Sequence, residues 1–181
     1  PPFLAQNQVA FLDVETTGFD RIKDRLIEFG SIWIEYGILV ADAGILLNPG
    51  FRLPDEIIKL TGITQDDVDQ ADRFADIADF VIDLIEEPSV VIAYNSSFDL
   101  SFLRHEIERS GRKVPKIGPV VDPLKWVRKS DRGKKCNLSL AAEWRGIKVE
   151  GAHRALADCY MTAELLYRLN MPETLEEAVR G

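Results

Sequence analysis

The sequence predicts an α/β fold: one mixed five-stranded sheet, three antiparallel strands extended by parallel ones, with helices on both faces. Three observations predict it. Three strand-like apolar runs follow one another before residue 48 with only short breaks, which makes an antiparallel meander. Beyond Pro88 two short apolar runs flank a helical segment, and strand–helix–strand order implies parallel addition to the same sheet. Residues 72–87, and most of the chain after Pro123, repeat apolar positions every three or four residues, the period of a helix with one buried face.

The first strand, Val9-Ala10-Phe11-Leu12-Asp13-Val14-Glu15-Thr16, is apolar until it meets two carboxylates one residue apart, then breaks at Thr17-Gly18. A polar loop over 20–25 leads to a second strand, Leu26 to Tyr36. Tyr36-Gly37 suits a turn into a third strand over 38–47. Asn48-Pro49-Gly50 ends the meander. Pro54 is placed to open a short helix over 55–60, and Thr64 to cap another turn. The helix over 72–87 lines up Phe74, Ile77, Ala78, Val81, Leu84 and Ile85, opposite an acidic face, and Pro88 ends it. The fourth strand is Val90–Ala93. A helix bearing Leu100, Leu103 and Ile107 follows, then a fifth strand over 117–121. Helices over 124–129, 138–145 and 154–169 complete the pattern, with a last turn after Pro172. No repeat, low-complexity tract or linker interrupts the 181 residues, which read as one domain, 1–181; a start at Pro1 suits a domain cut from a longer chain.

Composition narrows the function classes. No apolar run approaches the roughly 20 residues of a membrane span, and the first residues lack the basic-then-apolar layout of a signal peptide. The two cysteines, Cys136 and Cys159, have no metal-type spacing and suit reduced thiols in a cytoplasmic protein. The net charge of −8 argues against nucleic acid until its distribution is read. Residues 88–154 hold fourteen Lys and Arg against seven Asp and Glu, whereas the remainder holds eight against twenty-three. That asymmetry predicts a basic face on an acidic body.

Side chains two apart on a strand share a face, so Asp13 and Glu15 point the same way. Two carboxylates held together repel unless something positive lies between them. Asp99 lies in Asn95-Ser96-Ser97-Phe98-Asp99 at a strand-to-helix corner, the end of an open sheet where ligands collect; a capping box from Ser96 to Asp99 is the structural alternative. Asp158 sits among Ala155, Leu156, Ala157, Cys159 and Met161, a costly place for a charge unless it is paired or metal-bound. His153 follows Gly151-Ala152 just ahead of that helix. His105, mid-helix beside Arg104 and Glu106, reads as a surface residue. Clustered carboxylates without thiolates select hard cations, Mg²⁺ or Mn²⁺. Two such ions about 3.5–4 Å apart suit attack on a phosphodiester. An imidazole, with an ordinary pKa of about 6.5, can take a water's proton at neutral pH.

Asp13, Glu15, Asp99, His153 and Asp158 thus stand in the order D-x-E, D, H-x4-D, within FLDVETTG, AYNSSFDLSFL and AHRALADCYMTAELL. Over nearly its whole length the chain resembles the DEDDh exonucleases, the proofreading epsilon-type (DnaQ-like) group. The resemblance implies a ribonuclease-H-like sheet, two divalent ions and 3′→5′ hydrolysis of a single-stranded end with release of nucleoside 5′-monophosphates. It implies Asp13, Glu15 and Asp158 as ligands of one metal. Asp13 would also reach the second, Asp99 would contact that second ion directly or through water, and His153 would be the base. The family often has His before Asn95 where this chain has Tyr94, which bears on terminal-nucleotide contacts and leaves the metal set intact.

Substrate contacts expected from the residues are the backbone of Thr16, Thr17 and Gly18, with Asn95 nearby. Phe102 would stack on a base, and Ile63 matches the family's apolar wedge; core packing explains both equally well. The basic run over 125–135 would track a phosphate backbone. The expected partner is a single-stranded 3′ end of DNA, with RNA trimming as the alternative, and a DNA polymerase or a second copy as protein partners. Two rival classes remain. A haloacid-dehalogenase-type phosphatase would need Asp at position 15, and a silent end-binding module would usually have lost a ligand.

Overall fold

A computed structural model describes residues 1–181. The meander forms as the sequence predicts: β1 (Gln8–Thr16), β2 (Leu26–Glu35) and β3 (Ile38–Leu46) pair antiparallel. Tyr36 and Gly37 both take positive φ, 51° and 87°, the backbone of a tight two-residue hairpin. β4 (Val90–Ile92) pairs parallel to β1, and β5 (Val120–Val121) parallel to β4, giving the order β3-β2-β1-β4-β5. β5 is shorter than the predicted 117–121, because only two of its residues find register against Val91 and Ile92. A 3₁₀ turn over Pro2–Gln6 buries Phe3 and Leu4, which the sequence pattern did not suggest.

Helices cover both faces. α1 (Asp55–Thr61) and α2 (Gln65–Asp69) stand in the β3 connection, and Thr64 caps α2 as expected. α3 (Phe74–Glu86) and α4 (Ser96–Arg109) pack on one face with Ala10, Leu12, Val14 and Phe29. α5 (Pro123–Ser130), α6 (Leu138–Glu143), α7 (Ala155–Arg168) and α8 (Leu175–Arg180) cover the other face, with Val9, Phe11, Ile32 and Ile92. Successive β1 side chains therefore alternate between the two cores. The odd-numbered series Val9, Phe11 runs straight on into Asp13 and Glu15, so both carboxylates emerge on the α7 face. Each fully buried large side chain here contributes about 1.5–3 kcal/mol, so this alternation fixes the register firmly.

Candidate active site

Why α7 reaches the end of β1 is written in two glycines. Gly30 of β2 lies opposite Gly44 of β3. A Cβ at Gly30 would meet the Ala155 carbonyl carbon at 2.3 Å, and one at Gly44 would meet Leu156 Cβ at 3.2 Å. The missing side chains let the first turn of α7 lie directly on the sheet. Glu28, buried on β2, then ties that turn down. It accepts the Ala155 N–H at 2.8 Å and a fork of hydrogen bonds from Arg154 Nε and Nη2 at 2.8–3.1 Å. Just ahead, Gly151 and His153 take positive φ, 68° and 64°. For a histidine that left-handed backbone is strained, and it turns the exposed ring back toward β1.

Here Glu15, His153 and Asp158 place one potential ligand atom each within 4.8 Å of one another. Asp99 arrives from the opposite side. α4 starts without a side-chain cap at Asn95, whose φ of 67° swings the chain into the helix. The capping box between Ser96 and Asp99 does not form. Asp99 instead turns to β1, where its Oδ1 accepts the Val14 N–H at 3.2 Å. Buried Asp122 fixes the corner by accepting the Asn95 and Ser96 N–H groups while capping α5. Asp13, Glu15, Asp99, His153 and Asp158 all line one cleft of about 680 Å³, with Phe19, Phe98, Tyr94 and Asn95 along its walls.

The carboxylates crowd one another. Burial first, then the charges of Asp99, Asp158 and Glu15, hold the Asp13 carboxyl well above its ordinary value. Burial and Asp158 push Glu15 up to about 8, against the pull of Arg154. Burial raises Asp158 to about 6, opposed by the His153 N–H. Burial also raises Asp99, against its hydrogen bond from Val14. Asp158 Oδ1 is buried with no hydrogen-bond partner. An orphaned carboxylate oxygen among acids that resist ionisation is the signature of a site short of positive charge. All its carboxyl donors are hard oxygens, so the residues fit a divalent cation of the Mg²⁺ or Mn²⁺ kind.

Other expected contacts divide. Thr16 and Thr17 are buried with their hydroxyls engaged, on the Gly18 carbonyl and on Asp24. A Cβ at Gly18 would meet Asp24 Oδ2 at 2.4 Å, so a side chain there would have to displace the Asp24 carboxylate. Asn95 is exposed at the cleft. Ile63 and Phe102 are not in reach of a ligand. Ile63 packs with Ile27, Leu53, Ile57 and Val68, and Phe102 lies in the α3–α4 core. Apolar side chains with a core to enter take it, and these two do. The aromatic surface comes instead from Phe19, 86% exposed, and from Phe98, whose ring centroid is 6.3 Å from Phe19 and 4.9 Å from Phe102. The sequence signal was available for Phe19: an aromatic residue in an otherwise polar loop directly after the acid strand. Tyr94 lies in the wall and donates to the Cys136 carbonyl at 2.7 Å. His105 is held by the Ser101 carbonyl, away from the cleft. Arg128 and Lys134 stand at the cleft's lip.

A family model described as Exonuclease (RNase T) matches residues 10–166. The DNA polymerase III PolC-type of Clostridium perfringens is 32% identical over 162 residues, covering 88% of this chain and 11% of that protein. The DNA polymerase III subunit epsilon of Aquifex aeolicus is 30% identical over 160 residues, covering 87% of this chain and 78% of that protein. The chain thus spans about a tenth of its PolC-type relatives. Among solved structures, Exonuclease X with 5′ overhanging duplex DNA covers 95% of this chain and 98% of its own at TM-score 0.71 and 23% identity. The nuclease domain of 3′hExo, described as a DEDDh family member bound to rAMP, covers 89% and 90% at TM-score 0.74 and 23% identity. At those identities the structures establish the shared fold.

Proposed function

The chain belongs to the RNase T exonuclease family, and we propose that it is a metal-dependent 3′→5′ exonuclease domain. It would take nucleoside 5′-monophosphates from single-stranded 3′ ends, DNA by preference. One observation carries the reading. Four carboxylates and a histidine from three separate chain segments converge in one cleft, and Asp158 leaves a buried oxygen without a partner.

Asp13, Glu15 and Asp158 would hold one divalent ion, and Asp13 with Asp99 a second. Bound there, the ions would supply positive charge to the scissile phosphate and acidify the attacking water. The remaining work falls to the protein. A ring nitrogen of His153, facing Glu15 and Asp158, would take the proton of the water that attacks phosphorus. The bond from phosphorus to the 3′ oxygen would break, and that oxygen would take a proton from water, leaving a shortened 3′-hydroxyl end and a 5′-monophosphate. Glu28 and Arg154 would hold the strained His153 turn at the cleft, so that the base needs no rearrangement to act. Phe19 and Phe98 offer ring faces to the terminal bases. Arg128 and Lys134 at the lip, with Lys125, Lys129, Arg132 and Lys135 beyond, would attract the phosphate backbone to an otherwise acidic molecule.

The DNA preference and a place beside a polymerase rest on the relatives named DNA polymerase III, epsilon and PolC-type. Digestion of matched 3′-labelled DNA and RNA oligonucleotides, single-stranded and with a mismatched primer end, tests the reading with Mg²⁺, Mn²⁺ or EDTA. Release of 5′-mononucleotides from DNA, abolished by EDTA and by Asp13→Ala, is the expected result. Binding of ends without cleavage under every metal condition would instead identify an end-binding module.

A further inference from the structure

The β1–β2 loop is built far more tightly than an exposed nine-residue connection requires. Within it, Asp24 accepts from Thr17 Oγ1 at 3.0 Å and from the Asp20 N–H at 2.8 Å, and Asp20 accepts the Ile22 N–H at 2.9 Å. Gly18 lies hard against the Asp24 carboxylate. The loop is also held from outside. Arg109, in the last turn of α4, donates to three loop carbonyls: Arg21 at 3.0 Å, Asp24 at 3.2 Å, and Ile22. Beneath it Glu106, 1% exposed, joins both ends of the arrangement. It accepts from Arg109 at 3.0 Å and from Arg25 Nε and Nη2 at 2.5 and 2.8 Å. A buried carboxylate with two guanidinium partners is an expensive element to maintain for an ordinary surface loop. What the loop displays is apolar: Phe19 is 86% and Ile22 70% exposed, and Phe19 forms the wall of the acid cleft.

We propose that Arg109 and Glu106 form a clasp that presents Phe19 pre-ordered to the terminal nucleotide. This makes them positioning residues for nucleotide binding rather than for bond cleavage. The inference rests on the exonuclease reading of the cleft. Its physical content is pre-organisation. An exposed phenylalanine on a mobile loop loses conformational freedom when a base stacks on it, and that loss weakens binding. Here the backbone freedom is already spent in the free protein, on contacts that lie behind the loop and away from the acids. Arg109 serves four acceptors from two nitrogens, the three carbonyls and Glu106, whereas an ammonium has three N–H donors on one atom; lysine at 109 would keep the charge beside Glu106 and lose the full clasp.

The test compares two substrates across Arg109→Gln, Arg109→Lys and Phe19→Ala. A single-stranded 3′-labelled oligonucleotide needs nucleotide binding; methyl p-nitrophenyl phosphate, a diester without a base, needs only the acid site. Both Arg109 variants should raise KM for the oligonucleotide about tenfold with little change in kcat. Their hydrolysis of the small diester should stay within about twofold of wild type. Combining Arg109→Gln with Phe19→Ala should add nothing to the loss from Phe19→Ala alone, because one acts through the other. Hydrogen exchange at the Asp20, Ile22 and Asp24 amides should quicken in the Arg109 variants, while the β1 amides stay protected. Equal losses on both substrates, full rescue by lysine, additive effects with Phe19→Ala, or unchanged exchange would each overturn the clasp. A wild type inert toward both substrates would count against the exonuclease reading itself, and the exchange measurement would still decide whether Arg109 orders the loop.

Discussion

Without divalent metal, the protein should lose stability as pH rises from about 5 to 8, the opposite of ordinary acid denaturation. The perturbation is removal of metal with EDTA. Glu15 titrates at about 8 in the fold against an ordinary 4.5, and Asp158 at about 6 against 3.8. Between those limits the native chain keeps protons that the unfolded chain has already released, so raising the pH favours unfolding. At about 1.4 kcal/mol per unit, Asp158 accounts for about 1.4 kcal/mol between pH 5 and 8, because it has one unit left to titrate above pH 5, and Glu15 for about 3.5 kcal/mol. Solvent reaches both side chains in part, and discounting for it leaves roughly 3–4 kcal/mol. For a domain of this length that is a fall in Tm of roughly 10 °C. Asp13 and Asp99 shift the same way and add to it. The acids held below their ordinary values, Asp20, Asp67 and Asp79, titrate beneath this window and do not oppose it.

Calorimetry at pH 5, 6.5 and 8 and constant ionic strength, with EDTA or excess Mg²⁺, measures the effect. In EDTA the Tm should fall across the series; in Mg²⁺ the fall should vanish, because ionised carboxylates are what the cation binds. Asp158→Asn should raise the metal-free Tm at pH 8 and abolish part of the slope. A metal-free Tm that is flat or rises from pH 5 to 8 would refute the electrostatic account of the site.

Three further outcomes are expected. Gly30→Ala should lower stability by about 1–3 kcal/mol and remove nuclease activity, since its Cβ strikes the Ala155 backbone and must displace α7; Gly44→Ala, which meets only the Leu156 side chain, should be milder by both calorimetry and assay. His153→Ala should reduce turnover by roughly 10²–10⁴-fold, and added Mn²⁺ should not restore it; recovery to near wild-type rates would make His153 a metal ligand. Charge reversal at Lys125, Arg128 and Lys129 should flatten the slope of log Kd against log salt for a single-stranded oligonucleotide, and an unchanged slope would remove these residues from the nucleic-acid path.

The sequence carried the acids and the histidine because their chemistry is local. A carboxylate in an apolar strand, or in the buried first turn of a helix, advertises its cost wherever it stands. The sheet was equally legible, since alternation along β1 is set by the two cores it separates. Ile63 and Phe102 were ambiguous for the converse reason. An apolar side chain reads the same in a core as in a base-stacking wall, and only the packing of α1, α3 and α4 decides between them. What the pattern could not show was the apparatus joining the parts. Glu28 and Arg154 lie 126 residues apart, as do the two ends of no local motif, and their fork holds the His153 turn.

The Gly30–Gly44 pair shows why the two kinds of information differ. Each glycine taken alone is a weak strand residue, a mark against β2 or β3. Placed opposite one another by the hairpin register, they become the seat of α7, and the seat sets how near Asp158 comes to Asp13 and Glu15. The acid cluster is therefore specified twice: by carboxylates that any reading of the chain finds, and by absent side chains on the two neighbouring strands, one of them directly opposite Asp13, that determine whether those carboxylates meet. A chain that kept every acid and filled the seat would keep the motif and lose the chemistry. Restoring glycine at position 30 alone should then recover both the Tm and the nuclease activity together.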